Sequence, residues 1–155
     1  MASDAEVTVY EEPEDEGDPN AEIVFDCLYV VGESHYHEAF QKILGRLEKG
    51  ESLEIEDAVA VLVREPRNKF DSNAIAVHIV DGEGNARKVG YLAEDDADPY
   101  VETIKTLERR IRGKVGCVAH IYGERTGGLL SSKEIYSAEL DLPDAEEWLS
   151  WKKVD

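Results

Sequence analysis

The sequence predicts an α+β domain that is mainly β, a small closed or half-closed barrel of six antiparallel strands flanked by two α-helices. Six short segments rich in β-branched and aromatic residues predict the strands, and two segments with apolar residues three and four apart predict the helices. Short turns join several consecutive strands, which favours antiparallel pairing. Strands and helices do not alternate regularly, so a doubly wound parallel sheet is not expected.

The strands are predicted from runs of apolar residues that end at glycine, proline or a turn sequence. The first run, IVFDCLYVVG, ends at Gly32, and the second, AVAVLVREP, ends at Pro66. The sequence DGEGN predicts a tight hairpin turn between the third and fourth strands. The predicted strands are residues 23–32, 58–66, 73–80 and 87–92, a fifth within 114–128, and a sixth at 133–142.

Two amphipathic segments predict the helices. The first is ESHYHEAFQKILGRLEKG, residues 33–50. Ser34 is its predicted N-cap and Gly50 its predicted C-terminal stop. The second spans 98–113, with Pro99 near its start and basic residues near its end, as the helix dipole favours. After the last strand, residues 145–151 predict a short turn that packs one of two tryptophans, Trp148 or Trp151, on the body of the domain.

The charge of the chain is strongly acidic, with 35 Asp and Glu against 17 Lys and Arg and a net charge of −18. Residues 1–22 hold nine acids and no base, so half of the net charge lies there. This composition predicts a disordered acidic tail at 1–22, with weak edge pairing of VTVY as a minor alternative. The barrel domain is then 23–142, and 143–155 is a C-terminal segment packed on it or trailing from it.

The acidic balance limits how this chain can bind nucleic acid. A surface that is negative overall gains nothing from counterion release, so any nucleic-acid site must be local and small.

The longest apolar runs are far shorter than the roughly 20 residues that a membrane span needs, and no secretory signal is expected. Cys27 and Cys117 form no CxxC pair and are predicted to be thiols in a reducing, cytoplasmic compartment.

No catalytic, metal or cofactor motif is present in the sequence. His35 and His37 are two apart in a predicted helix and point to different faces, so they are not expected to share a metal. There is no HExxH frame and no phosphate-binding glycine loop between a strand and a helix. Nothing places a serine, a histidine and an aspartate as a triad. The sequence therefore predicts a protein that is not an enzyme and has no cofactor or metal site.

A polar stretch between the second and third strands, EPRNKFDSN, carries one aromatic residue, Phe70. Phe70 either fills the barrel mouth and pins the loop, or faces a ligand. Asp71 and Asn73 either make hydrogen bonds of Asx turns that start the third strand, or take part in binding. We expect Asn73 to hold the turn and Asp71 to face a groove.

Three stretches in order, VVGESHYHEAF, LVREPRNKFDSNAIAVHIV and KVGYLAEDDADPY, resemble the HIRAN domain over residues 23–142. The most specific part is REPxNxFDxNAIxV followed by VGYL. The resemblance implies a small β-barrel of OB-like or SH3-like character. It also implies binding of the free 3′ end of single-stranded DNA, since this is the best understood activity of the family.

The resemblance further implies roles for individual residues. Aromatic side chains would stack on the terminal bases, and the loop aspartate would accept a hydrogen bond from the terminal hydroxyl. Stacking of a base on an aromatic ring contributes roughly 1–3 kcal/mol and tolerates any base. The positions implied for nucleic-acid binding, together with the bases near the loop, are Tyr36, Arg64, Arg67, Lys69, Phe70, Asp71, Tyr91 and Tyr122.

A second interpretation rests on the acidic residues near the same motifs. Glu33 follows VVG, and Glu94, Asp95 and Asp96 follow VGYL, where they would repel a phosphate chain. The barrel would then be an acidic protein-interaction or regulatory module whose acidic tail binds a protein partner with a basic surface. A variant of this interpretation is a DNA mimic, in which the acidic surface occupies the DNA groove of another protein.

Overall fold

The computed structural model describes residues 7–11, 26–128, 131–150 and 152–153. Its strands are β1 (Val7–Glu11), β2 (Asp26–Val31), β3 (Ser52–Arg64), β4 (Ile75–Val80), β5 (Ala86–Leu92), β6 (Lys114–Gly127), β7 (Ser132–Leu142) and β8 (Lys152–Lys153). Its α-helices are α1 (His37–Leu44), α2 (Glu94–Ala97), α3 (Val101–Ile111) and α4 (Ala145–Trp148). Single 3₁₀ turns lie at Glu33–His35 and Asp98–Tyr100.

Six of these strands form a closed antiparallel barrel in the order β3, β4, β5, β2, β7, β6, with β6 pairing back onto β3. The closing pair is long, and places Ser52 opposite Glu124 at one end and Leu62 opposite Val115 at the other. The predicted fold class, mainly β with helices around a six-stranded barrel, is confirmed.

Apolar side chains from the strands and from two helices fill the barrel. Ile75, Val77 and Ile79 alternate along β4 and are inaccessible to solvent. Phe40 of α1 and Leu107 of α3 are also inaccessible and belong to the same core. Each such side chain stabilises the fold by about 1.5–3 kcal/mol through burial. The helices are therefore needed to complete the core.

The first helix is shorter than the sequence predicts. Ser34 lies in the 3₁₀ turn, α1 begins at His37, and Tyr36 is the residue between them. The helix ends at Leu44 with Gly45, at φ +95, as its C-cap, so Gly50 is not the stop. The predictions for Ser34 and Gly50 are wrong, because the glycine inside the amphipathic pattern ends the helix first.

Strand β1 lies within the segment that the sequence predicts to be disordered. Val7–Val9 pair in parallel with Lys114–Gly116 of β6, beside the end of β7. Gly116 allows this approach, since a Cβ there would lie 2.8 Å from a methyl group of Val7. The prediction of disorder does not hold for Val7–Glu11. Residues 1–6 and 12–25, which include the rest of that predicted tail, lie outside the described residues.

The C-terminal segment packs on the barrel through α4. Trp148 is buried and meets the ring of Tyr100 edge to face, with ring centroids 6.1 Å apart. The Tyr100 hydroxyl donates to the carbonyl of Pro143 at 2.7 Å. Trp151, the other tryptophan of this prediction, lies outside the described residues. Among the helices of the described segments, none is long and apolar enough to cross a membrane.

Candidate functional site

The loop between β3 and β4, residues 65–73, is held by its own side chains. Asn68 Oδ1 accepts the backbone N–H of Phe70 at 2.9 Å and of Asp71 at 3.1 Å, and Asn68 Nδ2 donates to Glu65 Oε1 at 3.0 Å. Glu65 N–H donates to the carbonyl of Ala74 and extends the strand pairing into the loop. One asparagine thus fixes the backbone on both sides of the loop tip, a role that asparagine performs well in turns.

Phe70 is 98% exposed at the tip of this 65–73 loop. It therefore does not fill the barrel mouth, and of the two interpretations of Phe70 the anchoring one is wrong. Such exposure of an aromatic side chain is unfavourable in water. The ring is available to contact a ligand, since the loop keeps its shape through Asn68 rather than through Phe70.

Asp71 and Asn73 do not divide their roles as the sequence predicts. Asp71 Oδ1 accepts the backbone N–H of Asn73 at 2.8 Å, and its carbonyl accepts the N–H of Ala74. Asn73 is exposed, and within the described residues its side chain makes no hydrogen bond. The turn into β4 is therefore held by Asp71 and Asn68. The expectation that Asn73 holds it is wrong.

A bulge in β5 decides which side chains face outward beside the loop. His78 pairs with Lys88 and Val77 with Gly90, so Val89 is an extra residue in β5. Lys88 and Tyr91, three residues apart, consequently share the outer face of the barrel, which a regular strand does not allow. Gly90 has φ +152, and a Cβ there would collide with the backbone oxygen of Val31. The glycine of VGYL is thus required by this close approach.

Lys88, Glu65 and Tyr91 form a hydrogen-bonded cluster on this outer face. Lys88 Nζ lies 2.8 Å from Glu65 Oε2, contacts the Tyr91 hydroxyl, and sits 4.3 Å from the centroid of the Tyr91 ring. The Tyr91 hydroxyl donates to Glu65 Oε1 at 2.9 Å. The centroid of the Tyr36 ring lies 6.0 Å from the same Nζ. We call Tyr36, Tyr91 and Lys88 the tyrosine face.

The pKa shifts in this cluster show that its charges are already paired. Partial burial would raise the pKa of Glu65, but hydrogen bonds from Lys88, Asn68 and Tyr91 outweigh burial and lower it. Partial burial would lower the pKa of Lys88, but Glu65 and Tyr91 raise it to about 12. Lys88 and Glu65 therefore carry opposite charges that cancel at neutral pH. The tyrosine face offers aromatic surface and little net attraction for phosphate.

Arg64 points away from the tyrosine face and toward α3. Its Nε donates to Glu108 Oε1 at 2.8 Å, and its Nη2 lies 3.4 Å from Glu108 Oε2. Next to this pair is an open groove of about 490 Å³ between α3 and the start of β6. We call it the basic groove. Its lining residues are Arg64, Lys105, Glu108, Arg109, Arg112, Gly113 and Lys114.

The basic groove concentrates positive charge in an acidic protein. Five of the chain's 17 Lys and Arg line it, together with one acid. Apart from Arg64, none of these residues is among those predicted from the sequence to bind nucleic acid. A signal was present, because the ten residues KTLERRIRGK (105–114) hold five bases in a chain of net charge −18. Only the fold shows that four of these five bases line one groove with Arg64.

The structure brings some of the predicted site residues together and separates others. Arg67, Lys69, Phe70 and Asp71 share the 65–73 loop, with the tyrosine face and the basic groove close by. Tyr122 pairs with Glu54, ten residues before Arg64 on β3, which is about 30 Å along a strand. Its hydroxyl donates to Glu124 Oε2 at 3.2 Å. Tyr122 is therefore not part of the same site.

The acidic residues after VGYL lie in a different cleft. Asp95 and Asp96 of α2 line a cleft of about 230 Å³ with Asp144 and Tyr100. None of the lining residues of the basic groove comes from α2. The expected repulsion of a phosphate chain by Asp95 and Asp96 is therefore weaker at the basic groove, because these acids line a different cleft.

Three potential metal ligands meet on the surface formed by β2 and β7. Ligand atoms of Cys27, Glu139 and Asp141 all lie within 4.8 Å of one another. A hydrogen bond with Glu139, together with desolvation and the charge of Asp141, raises the pKa of the Cys27 thiol to about 11. Without a bound metal, the thiol is consequently protonated at neutral pH.

Comparisons of the chain with protein-family models, with curated proteins and with solved structures found no match.

Proposed function

We propose that this protein is a non-enzymatic module that binds single-stranded DNA at a free 3′ end through the 65–73 loop. The observation that carries the proposal is the 98% exposure of Phe70 on a loop held by Asn68. A base can stack on a ring presented in this way without the cost of ordering the loop. The resemblance to HIRAN domains supports the choice of ligand.

The neighbouring residues supply what end recognition requires. Tyr36 and Tyr91 offer further aromatic surface beside the loop, and both rings lie near Lys88 Nζ. Asp71 uses Oδ1 for the N–H of Asn73, and an ionised carboxylate has acceptor capacity left for a terminal hydroxyl. A 3′ phosphate in place of that hydroxyl would bring two negative groups together. The loop therefore favours a free 3′ end over a phosphorylated one.

The test is fluorescence anisotropy with a labelled single strand that carries either a 3′ hydroxyl or a 3′ phosphate, at low salt. We expect tighter binding of the free end. Phe70→Ala should weaken binding by about 5-fold to 150-fold, the equivalent of 1–3 kcal/mol of stacking. Ile135→Ala is the matched control, because Ile135 is also an exposed apolar residue but lies on β7. Equal affinity for both ends would refute end recognition.

The proposed setting is the reducing cytoplasm, a location consistent with two free thiols at Cys27 and Cys117.

A second candidate function, binding of a basic protein surface, is favoured by the cleft that Asp95, Asp96 and Asp144 line. In that case a lysine-rich peptide should bind, and Asp95→Asn with Asp96→Asn should weaken it while leaving binding of single-stranded DNA unchanged.

A further inference from the structure

The bases of the basic groove are largely free to bind an anion. Arg64 is paired with Glu108, and Lys105 lies 3.2 Å from the exposed carboxylate of Glu102. Within the described part of the chain, the Arg109 side chain has one hydrogen-bond partner, the Thr106 hydroxyl, at 3.3 Å. For the side chains of Arg112 and Lys114, no carboxylate partner occurs among the described residues. Three of the five positive charges thus remain uncompensated within the groove.

Arg112 has a backbone conformation that usually belongs to glycine. It follows the last residue of α3 with φ +54 and ψ +41, and it is the one non-glycine residue with positive φ in the described segments. Glycine is the common residue at such a helix end. Arginine at this position costs backbone strain and places a guanidinium at the groove.

The basic groove is continuous with the base of the 65–73 loop. Arg64 and Lys105 line the groove and also line the small adjoining pocket formed with Ser72 and Asn73. A DNA strand that leaves the 65–73 loop on this side therefore meets the basic side chains of the groove next. Guanidinium groups bind phosphate oxygens in pairs, which suits a phosphodiester chain.

We propose that the basic groove binds the phosphate backbone of a single strand whose 3′ end lies at the 65–73 loop. This inference rests on the proposed function and adds the path of the strand. The tyrosine face and Phe70 contact bases, and the residues of α3 and the α3–β6 turn contact phosphates. Net charge opposes DNA over most of the surface, so this groove is where attraction is concentrated.

The salt dependence of affinity distinguishes a basic groove that binds the DNA strand from one that does not. Arg67 and Lys69 of the loop would neutralise about two phosphates, giving a slope of log affinity against log salt of about −1.4 for a single strand. If Arg109, Arg112 and Lys114 also bind phosphates, about five phosphates are neutralised, and the slope steepens to about −3.5.

The decisive variant is Arg112→Gln with Lys114→Gln, measured with a single strand of about ten nucleotides, a length that typical binding sites of this kind accommodate. Its affinity should fall by about 25-fold near 0.1 M salt, and the slope should flatten by about 1.4. The matched control is Lys42→Gln with Arg46→Gln, which changes the net charge equally at two exposed positions on and after α1. The control should weaken binding less than about threefold, because salt screens distant charges.

The two proposals fail in different ways. If the wild-type slope is near −1.4 and the groove variant behaves like the control, the groove inference is overturned while end recognition stands. If the groove variant weakens binding but a 3′ phosphate makes no difference, phosphate binding by the groove is supported, while end recognition and the placement of the 3′ end at the loop are both overturned. If the wild type binds no single-stranded DNA at low salt, both are overturned.

Discussion

Replacing Arg112 with glycine should stabilise the fold while removing a charge from the basic groove. Arg112 is exposed and has φ +54, in the left-handed region. Its backbone N–H donates to the carbonyl of Glu108 at 2.7 Å and ends α3. Glycine keeps this hydrogen bond and relieves the strain, so the helix end should form at lower cost.

The expected gain is the difference between two opposing terms. A residue with a Cβ in this conformation costs about 1–2 kcal/mol relative to glycine. Glycine makes the unfolded chain more flexible, which costs about 0.4–1 kcal/mol. The free energy of unfolding should therefore rise by about 0.5–1 kcal/mol for Arg112→Gly, or about 1–4 °C in Tm for a chain of this size.

Urea denaturation of the wild type, Arg112→Gly and Arg112→Ala measures this difference. Alanine removes the same side chain and keeps the strain, so its free energy of unfolding should stay within about 0.5 kcal/mol of the wild type. The dependence on urea should be equal for all three proteins if only stability changes. If glycine is no more stable than alanine, the helix end is not strained and the reasoning about Arg112 is wrong.

Three further outcomes are expected from the loop and the hairpin. Phe70→Ala should leave the free energy of unfolding within about 0.5 kcal/mol of the wild type in thermal melts, because the ring is almost fully exposed. Asn68→Ala should destabilise the fold by about 1–3 kcal/mol, since two backbone N–H groups lose their acceptor, whereas Asn73→Ala should be nearly neutral. Asp81 accepts a hydrogen bond from Arg87 at 2.6 Å and two from backbone N–H groups, and these lower its pKa. Its contribution to stability is complete above the ordinary aspartate pKa of about 3.9 and is lost as the pH falls through the lowered value. The difference in Tm between the wild type and Asp81→Asn should therefore be largest near neutral pH and shrink below about pH 4.

Each of these outcomes has a clear contrary result. A marked loss of stability in Phe70→Ala would mean that the ring anchors the loop after all. Equal melting of the Asn68 and Asn73 variants would show that Asn68 does not organise the loop. A difference between the wild type and Asp81→Asn that stays constant down to pH 2 would assign the Asp81 effect to packing rather than to its ionised form.

The sequence by itself determined the class of fold. Alternating apolar residues fixed most strands of the barrel, and DGEGN marked the hairpin that the structure shows between β4 and β5. Such patterns are readable because burial on one face follows directly from strand geometry. Helix ends were less predictable. Ser34 and Gly50 both fit local rules for caps, but Gly45 ended α1 first.

The location of a candidate site was partly readable as well. The exposed aromatic in a polar loop drew attention to Phe70, but its sequence position could not distinguish an anchor from a contact surface. Only the structure showed that Asn68 holds the loop and leaves the ring free. Hydrogen bonds between a side chain and the backbone depend on the fold of the loop, which no single residue dictates.

The tertiary structure alone decided which charges act together. The charge of Lys88 is cancelled by Glu65. The bulge at Val89 places Lys88 and Tyr91 on the same outer face, and the register of β6 separates Tyr122 from this site. Arg64 and Lys114, 50 residues apart in the chain, line one groove because barrel closure pairs β3 with β6. Charge along a sequence gives only a sum, whereas attraction for a ligand depends on distances across the fold.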